Sequence, residues 1–182
     1  MAKHVMLDLE TMGTGTFSTI LSIGAVAFDP YLTGVDDSFE VFIDPVDCQR
    51  VGLQMDWGTI TWWMDKDQEV ARELLLRNIK EKGHDLPTAL GAFRDWLEPH
   101  VGAAIWGFGA TFDNVLLRNA YKAIGEPAPW SWRSDRCFRT IVKLAPEIEK
   151  PSTGEVLHSA LGDAITQAKW MQEIVAHLGL VL

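Results

Sequence analysis

Met6-Leu7-Asp8-Leu9-Glu10-Thr11 is the stretch on which the reading of this chain turns. Residues 4–9 form an apolar run of strand length, bounded soon after by Gly13-Thr14-Gly15. Side chains alternate along a strand, so Asp8 and Glu10 share one face, roughly 7 Å apart. Both stand at the carboxyl end of the run, where open α/β sheets place their ligand crevices. Two like charges this close repel unless a cation lies between them. A divalent metal held by carboxylates is the simplest such cation. The alternative is a strand that reaches solvent and ends in two hydrated acids.

Working outward, 182 residues are expected to form one domain, 1–182, with a substantial core. Composition is that of an ordinary soluble protein, 47% hydrophobic and 23% charged. No long apolar stretch stands near residue 1 and no apolar run is long enough to span a bilayer, so neither a signal peptide nor a membrane partner is expected. The two cysteines, Cys48 and Cys137, stand far apart without metal-ligand spacing, which fits a reducing cytoplasm. None of the five histidines forms a His-x-x-x-His pair, which argues against a zinc hydrolase. A net charge of −9 counts against a large duplex-binding footprint, but allows a small acidic pocket that holds cations and receives one chain end.

Gly13-Thr14-Gly15 suggests a dinucleotide loop, but residues 19–28 that follow are β-branched and apolar: a strand, not a phosphate-cradling helix. That strand makes an antiparallel hairpin with the first. Residues 39–43 read as a third strand, and the chain then looks irregular to about Gly58. A helix is expected over 68–76, with Val70, Ala71, Leu74 and Leu75 inward. Another is expected over 85–98, capped by Asp85, with Leu86, Leu90, Phe93 and Leu97 inward. Adjacent Trp62 and Trp63 lie about 100° apart on a helix and cannot both enter a core, so one is left for a surface or for base stacking.

Residues 101–106 read as a strand, after which Thr111-Phe112-Asp113-Asn114 opens a helix with Phe112, Leu116, Ala120 and Ala123 inward. Asp113 thereby reaches the same crevice edge as Asp8, although an acid in a first turn also complements the helix dipole. Residues 133–144 read as a helix whose Arg136, Arg139 and Lys143 form a basic stripe. The last helix is expected over 159–178, with Leu161, Ala164, Ala168, Met171, Val175 and Leu178 inward and Gly179 as its stop. His158 converges with Asp163 only from the loop ahead of that helix, because five residues of one helix put two side chains about 140° apart.

The complete pattern, Asp8-x-Glu10, Phe112-Asp113 and His158-x-x-x-x-Asp163, resembles the DEDDh family of 3′–5′ exonucleases. The wording around Trp62-Trp63 and the small size look closest to the RNase T-like exonucleases of phages, prophages and actinobacteria. One departure is Gly109, four residues before Asp113, where the family often carries Asn. The resemblance implies a ribonuclease H-like α/β fold, a mixed sheet of about five strands flanked by helices. It puts the first three strands antiparallel; in the sequence itself the place for the fifth is 128–132. It implies two divalent ions, Mg²⁺ with Mn²⁺ tolerated, held by Asp8, Glu10, Asp113 and Asp163. His158 would act as general base, and products would be nucleoside 5′-monophosphates. Thr11 and Met12 would clamp the terminal 3′-OH, with Trp62, Trp63 and Phe112 as further substrate contacts. The implied partner is a single-stranded DNA or RNA 3′ end, and a homodimer is compatible with the sequence. Two rivals stand beside this reading: an end-binding module without turnover, and a divergent endonuclease of the same fold.

Overall fold

The computed structural model describes residues 4–154 and 158–182. β1 (His4–Thr11) and β2 (Ile20–Phe28) pair antiparallel, with Asp8 opposite Gly24 and Glu10 opposite Ser22; the register shifts between Glu10 and Thr11. β3 (Asp37–Phe42) continues the antiparallel edge. Then come α1 (Pro45–Arg50), α2 (Trp57–Trp63), α3 (Glu69–Lys82) and α4 (Leu86–Leu97). β4 (Ala104–Gly107) lies parallel to β1 and leads into α5 (Asp113–Ala123). β5 (Asp135–Cys137), α6 (Phe138–Val142) and α7 (Ala160–Leu178) close the chain. The sheet runs β3-β2-β1-β4-β5, the expected mixed sheet of five strands.

The faces of β1 sort cleanly. Val5, Leu7 and Leu9 join a core with Leu86, Leu90, Phe93 and Leu97 of α4 and Leu116, Ala120 and Tyr121 of α5. Met6 joins the opposite core with Phe138 and with Ala164, Ala168, Met171 and Val175 of α7. By alternation Asp8 and Glu10 face the α7 side. Gly24 lets α7 approach: a Cβ there would lie 2.1 Å from the Ala160 carbonyl carbon. The helix start is thereby pressed onto β2 opposite Asp8.

Several expectations are corrected. The stretch 44–58 is not irregular, because Asp44 caps α1 through the Val46 amide and Asp56 caps α2 through the Thr59 amide. The helix expected over 68–76 runs on to Lys82, and its Val70 is 75% exposed because Ala71, Leu75 and Ile79 form the face that meets the core. The fourth strand starts at Ala104, since Val101 and Gly102 (φ +86°) form the turn before it. Leu178 is half-exposed beside the left-handed Gly179 cap. The fifth strand lies at 135–137, not 128–132, and it interrupts the helix expected over 133–144. Arg136 consequently sits on a strand and Arg139 in the short helix α6, so no helical basic stripe forms. Among the described residues no helix is long and apolar enough to cross a membrane.

Candidate active site

The carboxyl ends of β1 and β4 bring three acids together from different elements. Asp8 and Glu10 come from β1, and Asp113 opens α5 after the turn that leaves β4. Gly107 makes room for the turn: a Cβ there would stand 3.0 Å from Asp113 Oδ2 and 2.6 Å from Asn114 Oδ1. Asn114 fixes the turn by donating to Ile105 O (2.9 Å) and Asp135 Oδ1 (3.0 Å).

Burial sets the electrostatics of these acids. Asp8 is pushed well above the usual carboxylate range by desolvation and by the charges of Asp113, Glu10 and Asp163; a 2.8 Å hydrogen bond from Gln167 Nε2 opposes that rise. Glu10 is pushed up to about 8 by burial and then by Asp163 and Asp113. Asp113 is pushed up to about 7 by burial, against the pull of the Leu9 backbone N–H and the Arg139 charge. A buried acid cluster of this kind is stable either protonated or with cations beside it.

α7 supplies the other side. Ser159 caps the helix, which places Asp163 in the first turn and Gln167 one turn further on the same face. His158 lies ahead of the helix with φ +56°, and its backbone N–H donates to Asp163 Oδ2 at 3.1 Å. The left-handed conformation turns that amide inward. The other Asp163 oxygen accepts from Lys150 Nζ at 3.0 Å. Donor atoms of Glu10, His158 and Asp163 all lie within 4.8 Å of one another. All five residues singled out in the sequence therefore meet at one sheet edge.

Beside them opens a cavity of about 520 Å³, lined by Glu10, Thr11, Asp56, Trp62, Trp63 and Phe112 among others. The adjacent tryptophans divide as their helical spacing demands. Trp63 is buried and donates from Nε1 to Thr11 O (2.9 Å), whereas Trp62 is 42% exposed. The Trp62 ring stands edge-on to that of His158, centroids 5.0 Å apart. The Met12 amide donates to Thr19 O at 2.9 Å, so it is already engaged within the protein. Phe112, expected inward, is half-buried and borders both the core and the cavity. Two residues at the site were not anticipated. Gln167 was findable, four residues after Asp163 on the same helix face. Lys150 carries no local signal, because its loop position is set by the fold alone.

A mixed five-stranded sheet with acids gathered at the ends of its first and fourth strands, and a histidine five residues ahead of the last acid, defines the ribonuclease H-like exonucleases of the DEDDh group. Residues 3–175 match the 3′–5′ exoribonuclease Rv2179c-like domain, and the chain belongs to that family. Solved structures similar in fold include Escherichia coli exonuclease I in complex with a dT13 oligonucleotide (TM-score 0.66, 16% identity, 98% of this chain and 42% of that one). Exonuclease I from Methylocaldum szegediense is similar too (0.66, 17%, 95% and 40%). So is the nuclease domain of 3′hExo, a DEDDh family member, bound to rAMP (0.60, 13%, 97% and 93%). The chain thus spans about two fifths of the length of the exonuclease I proteins. No curated protein matches the chain at a significant level.

Proposed function

We propose that this chain is a single-domain, metal-dependent 3′–5′ exonuclease. It removes nucleotides from the 3′ end of single-stranded RNA and releases nucleoside 5′-monophosphates. The observation that carries this reading is the meeting of Asp8, Glu10, Asp113, Asp163 and His158 beside an aromatic-lined cavity large enough for a nucleoside. The family description supports RNA as substrate, and the oligonucleotide complexes of the structural neighbours support a single strand. Two unpaired cysteines, one buried, support a reducing, cytoplasmic setting.

The donor set fits divalent cations. Carboxylate oxygens dominate it, which suits Mg²⁺ or Mn²⁺, and burial leaves the acids short of positive charge. Asp8, Glu10 and Asp163 would hold one ion, and Asp8 with Asp113 the other. When bound, two such ions generate a nucleophile near neutral pH and stabilise charge on the attacking and leaving oxygens. His158 is within ligand distance of the same site, but a nitrogen is a poor partner for Mg²⁺ beside so many oxygens. That leaves its imidazole to accept a proton from the attacking water. Trp62, edge-on to the imidazole, limits its rotation. Thr11, whose carbonyl is pinned by Trp63, borders the seat of the terminal nucleoside, with Phe112 and Trp62 offering ring faces to the base.

The test is digestion of a 5′-labelled single-stranded RNA in Mg²⁺. A ladder shortening one nucleotide at a time from the 3′ end, with nucleoside 5′-monophosphates as products and matched DNA cut more slowly, is expected. Cleavage of a circular single strand, or binding without turnover, would contradict it.

A further inference from the structure

The window 133–139 holds three arginines in a chain whose net charge is −9. Arg133, Arg136 and Arg139 are all exposed, and among the described residues none pairs with a carboxylate. The single acid in the window, Asp135, is turned away. Its Oδ2 takes Arg118 at 2.7 Å, while its Oδ1 accepts from Asn114 (3.0 Å) and from Trp130 Nε1 (2.8 Å). The Arg139 charge acts on Asp113, but Arg133 and Arg136 have no carboxylate partner among the described residues, so the outer strip is cationic with little local compensation, which a solvated face in an acidic protein does not require.

Its inner end touches the active site. Arg139 donates to Phe108 O at 2.7 Å, and its guanidinium lies over the Phe108 ring, 5.4 Å from the centroid. Gly109 admits it: with φ +136° and no side chain it leaves open a point only 2.9 Å from Arg139 Nη2, where a Cβ would stand. The residue that departs from the DEDDh pattern is thus the one on which this arginine rests. Outward from there, Arg136 donates to the carbonyls of Arg133 and Asp135 (2.7 and 2.9 Å), which holds the turn. Arg133 lies over the ring of Trp132, which is 66% exposed. Cations and aromatic faces interleave, the combination that holds single strands without reading their sequence. The strip runs from the turn ahead of β5 through β5 to the start of α6, whereas the cavity with Trp62 and Trp63 lies beyond β1, toward α2. The acids lie between the two.

We propose that Arg139, Arg136, Arg133 and Trp132 form the track that holds the single strand on the 5′ side of the scissile bond, with the arginines on its phosphates and Trp132 under a base. The track rests on the exonuclease reading and adds its direction: the terminal nucleoside enters the cavity by Trp62, and the rest of the strand leaves over β5. The eight residues from Trp132 to Arg139 span at most about 28 Å, so the track serves a few nucleotides.

Anisotropy of a labelled single-stranded RNA of about a dozen nucleotides, titrated in chelator across a range of salt, tests this. Replacing all three arginines with Gln is expected to weaken binding about ten-fold or more at low salt. It should flatten the slope of log affinity against log salt by about 2, given roughly 0.7 per phosphate contact on a single strand. Trp132→Ala is expected to weaken binding and leave the slope in place. Affinity for a nucleoside 5′-monophosphate should stay within about two-fold in the variants that keep Arg139. The single variants Arg133→Gln and Arg136→Gln, each expected to remove about 0.7 from the slope, carry the test should the triple variant fold poorly. An unchanged slope, or an equal loss for the mononucleotide in a variant that keeps Arg139, would overturn the track. Failure of the exonuclease reading would be seen separately, as no shortening of the same RNA by the unaltered protein in Mg²⁺.

Discussion

The two sides of the acid site are built from different material. Asp8 and Glu10 sit on a strand flanked by β2 and β4, and Asp113 hangs from a turn that two glycines and Asn114 hold shut. Asp163 and His158 arrive instead at the junction of a loop and a helix. There His158 adopts a left-handed backbone and Asp163 is half-buried between a main-chain N–H and the exposed Lys150. The sheet side is buried and carries little compensating charge beyond Arg139 near Asp113; the helix side is more open and already neutralised in part. On the proposed reading the difference divides the work: the sheet side would create the demand for cations, and the helix side would complete the site and take the proton.

That division is broken most severely by Asp8→Asn, which removes the acid shared by both proposed ion positions. Turnover should fall by more than the roughly 10²–10⁴-fold that a lost general base costs. Metal-free stability should stay equal or rise, because a buried repulsion is relieved. Melting of the metal-free variant below the unaltered protein would make Asp8 a structural acid instead. On the helix side, His158→Ala should lower turnover by about 10²–10⁴-fold while Mn²⁺ affinity, followed by titration calorimetry, stays within a few-fold. A large loss of Mn²⁺ affinity would move His158 among the ligands.

Trp62→Ala should weaken binding of a single-stranded RNA by roughly ten-fold, in line with about 1–3 kcal/mol per stacked base. Trp63→Ala should act mainly on stability, since Trp63 is buried on Thr11. Equal melting temperatures for the two variants would erase that distinction. Smallest is Lys150→Met, which removes a competitor for Asp163. A partly exposed pair is worth about 0.2–1 kcal/mol, so Mn²⁺ should bind about 1.5- to 5-fold more tightly. Weaker binding would show that the ammonium supports the site.

Much of this architecture was legible because it rests on two periodicities. Alternation along β1 put Asp8 and Glu10 on one face, and the helical period fixed where α7 must begin for His158 and Asp163 to meet. The fifth strand was not legible. It is three residues long, and Asp135, which anchors it, is held by Asn114, Arg118 and Trp130, contacts that span up to 21 residues of sequence. The short helices α1 and α2 carried readable caps in Asp44 and Asp56, but their shortness, Gly58 in α2 and scattered apolar residues obscured the period. The Met12 amide, expected at the 3′-OH, proved to be engaged because a register shift after Glu10 lines it up with Thr19.

The central claim, that the sheet-side acids form a buried cluster made for cations, is tested most directly by melting the protein between pH 5 and 8, with chelator and with saturating Mg²⁺. Glu10 and Asp113 titrate near 8 and 7 in the folded chain, against about 4 when unfolded. The folded state therefore holds protons that the unfolded chain has released. Its stability from these groups is full below about pH 4 and is lost as pH rises through 7 to 8. In chelator the melting temperature should fall steadily from pH 5 to 8, and Asp8→Asn should flatten the fall. Mg²⁺ should change little at pH 5 and raise the melting temperature by about 5 °C or more at pH 8. A melting temperature flat across this range and indifferent to Mg²⁺ would contradict the account.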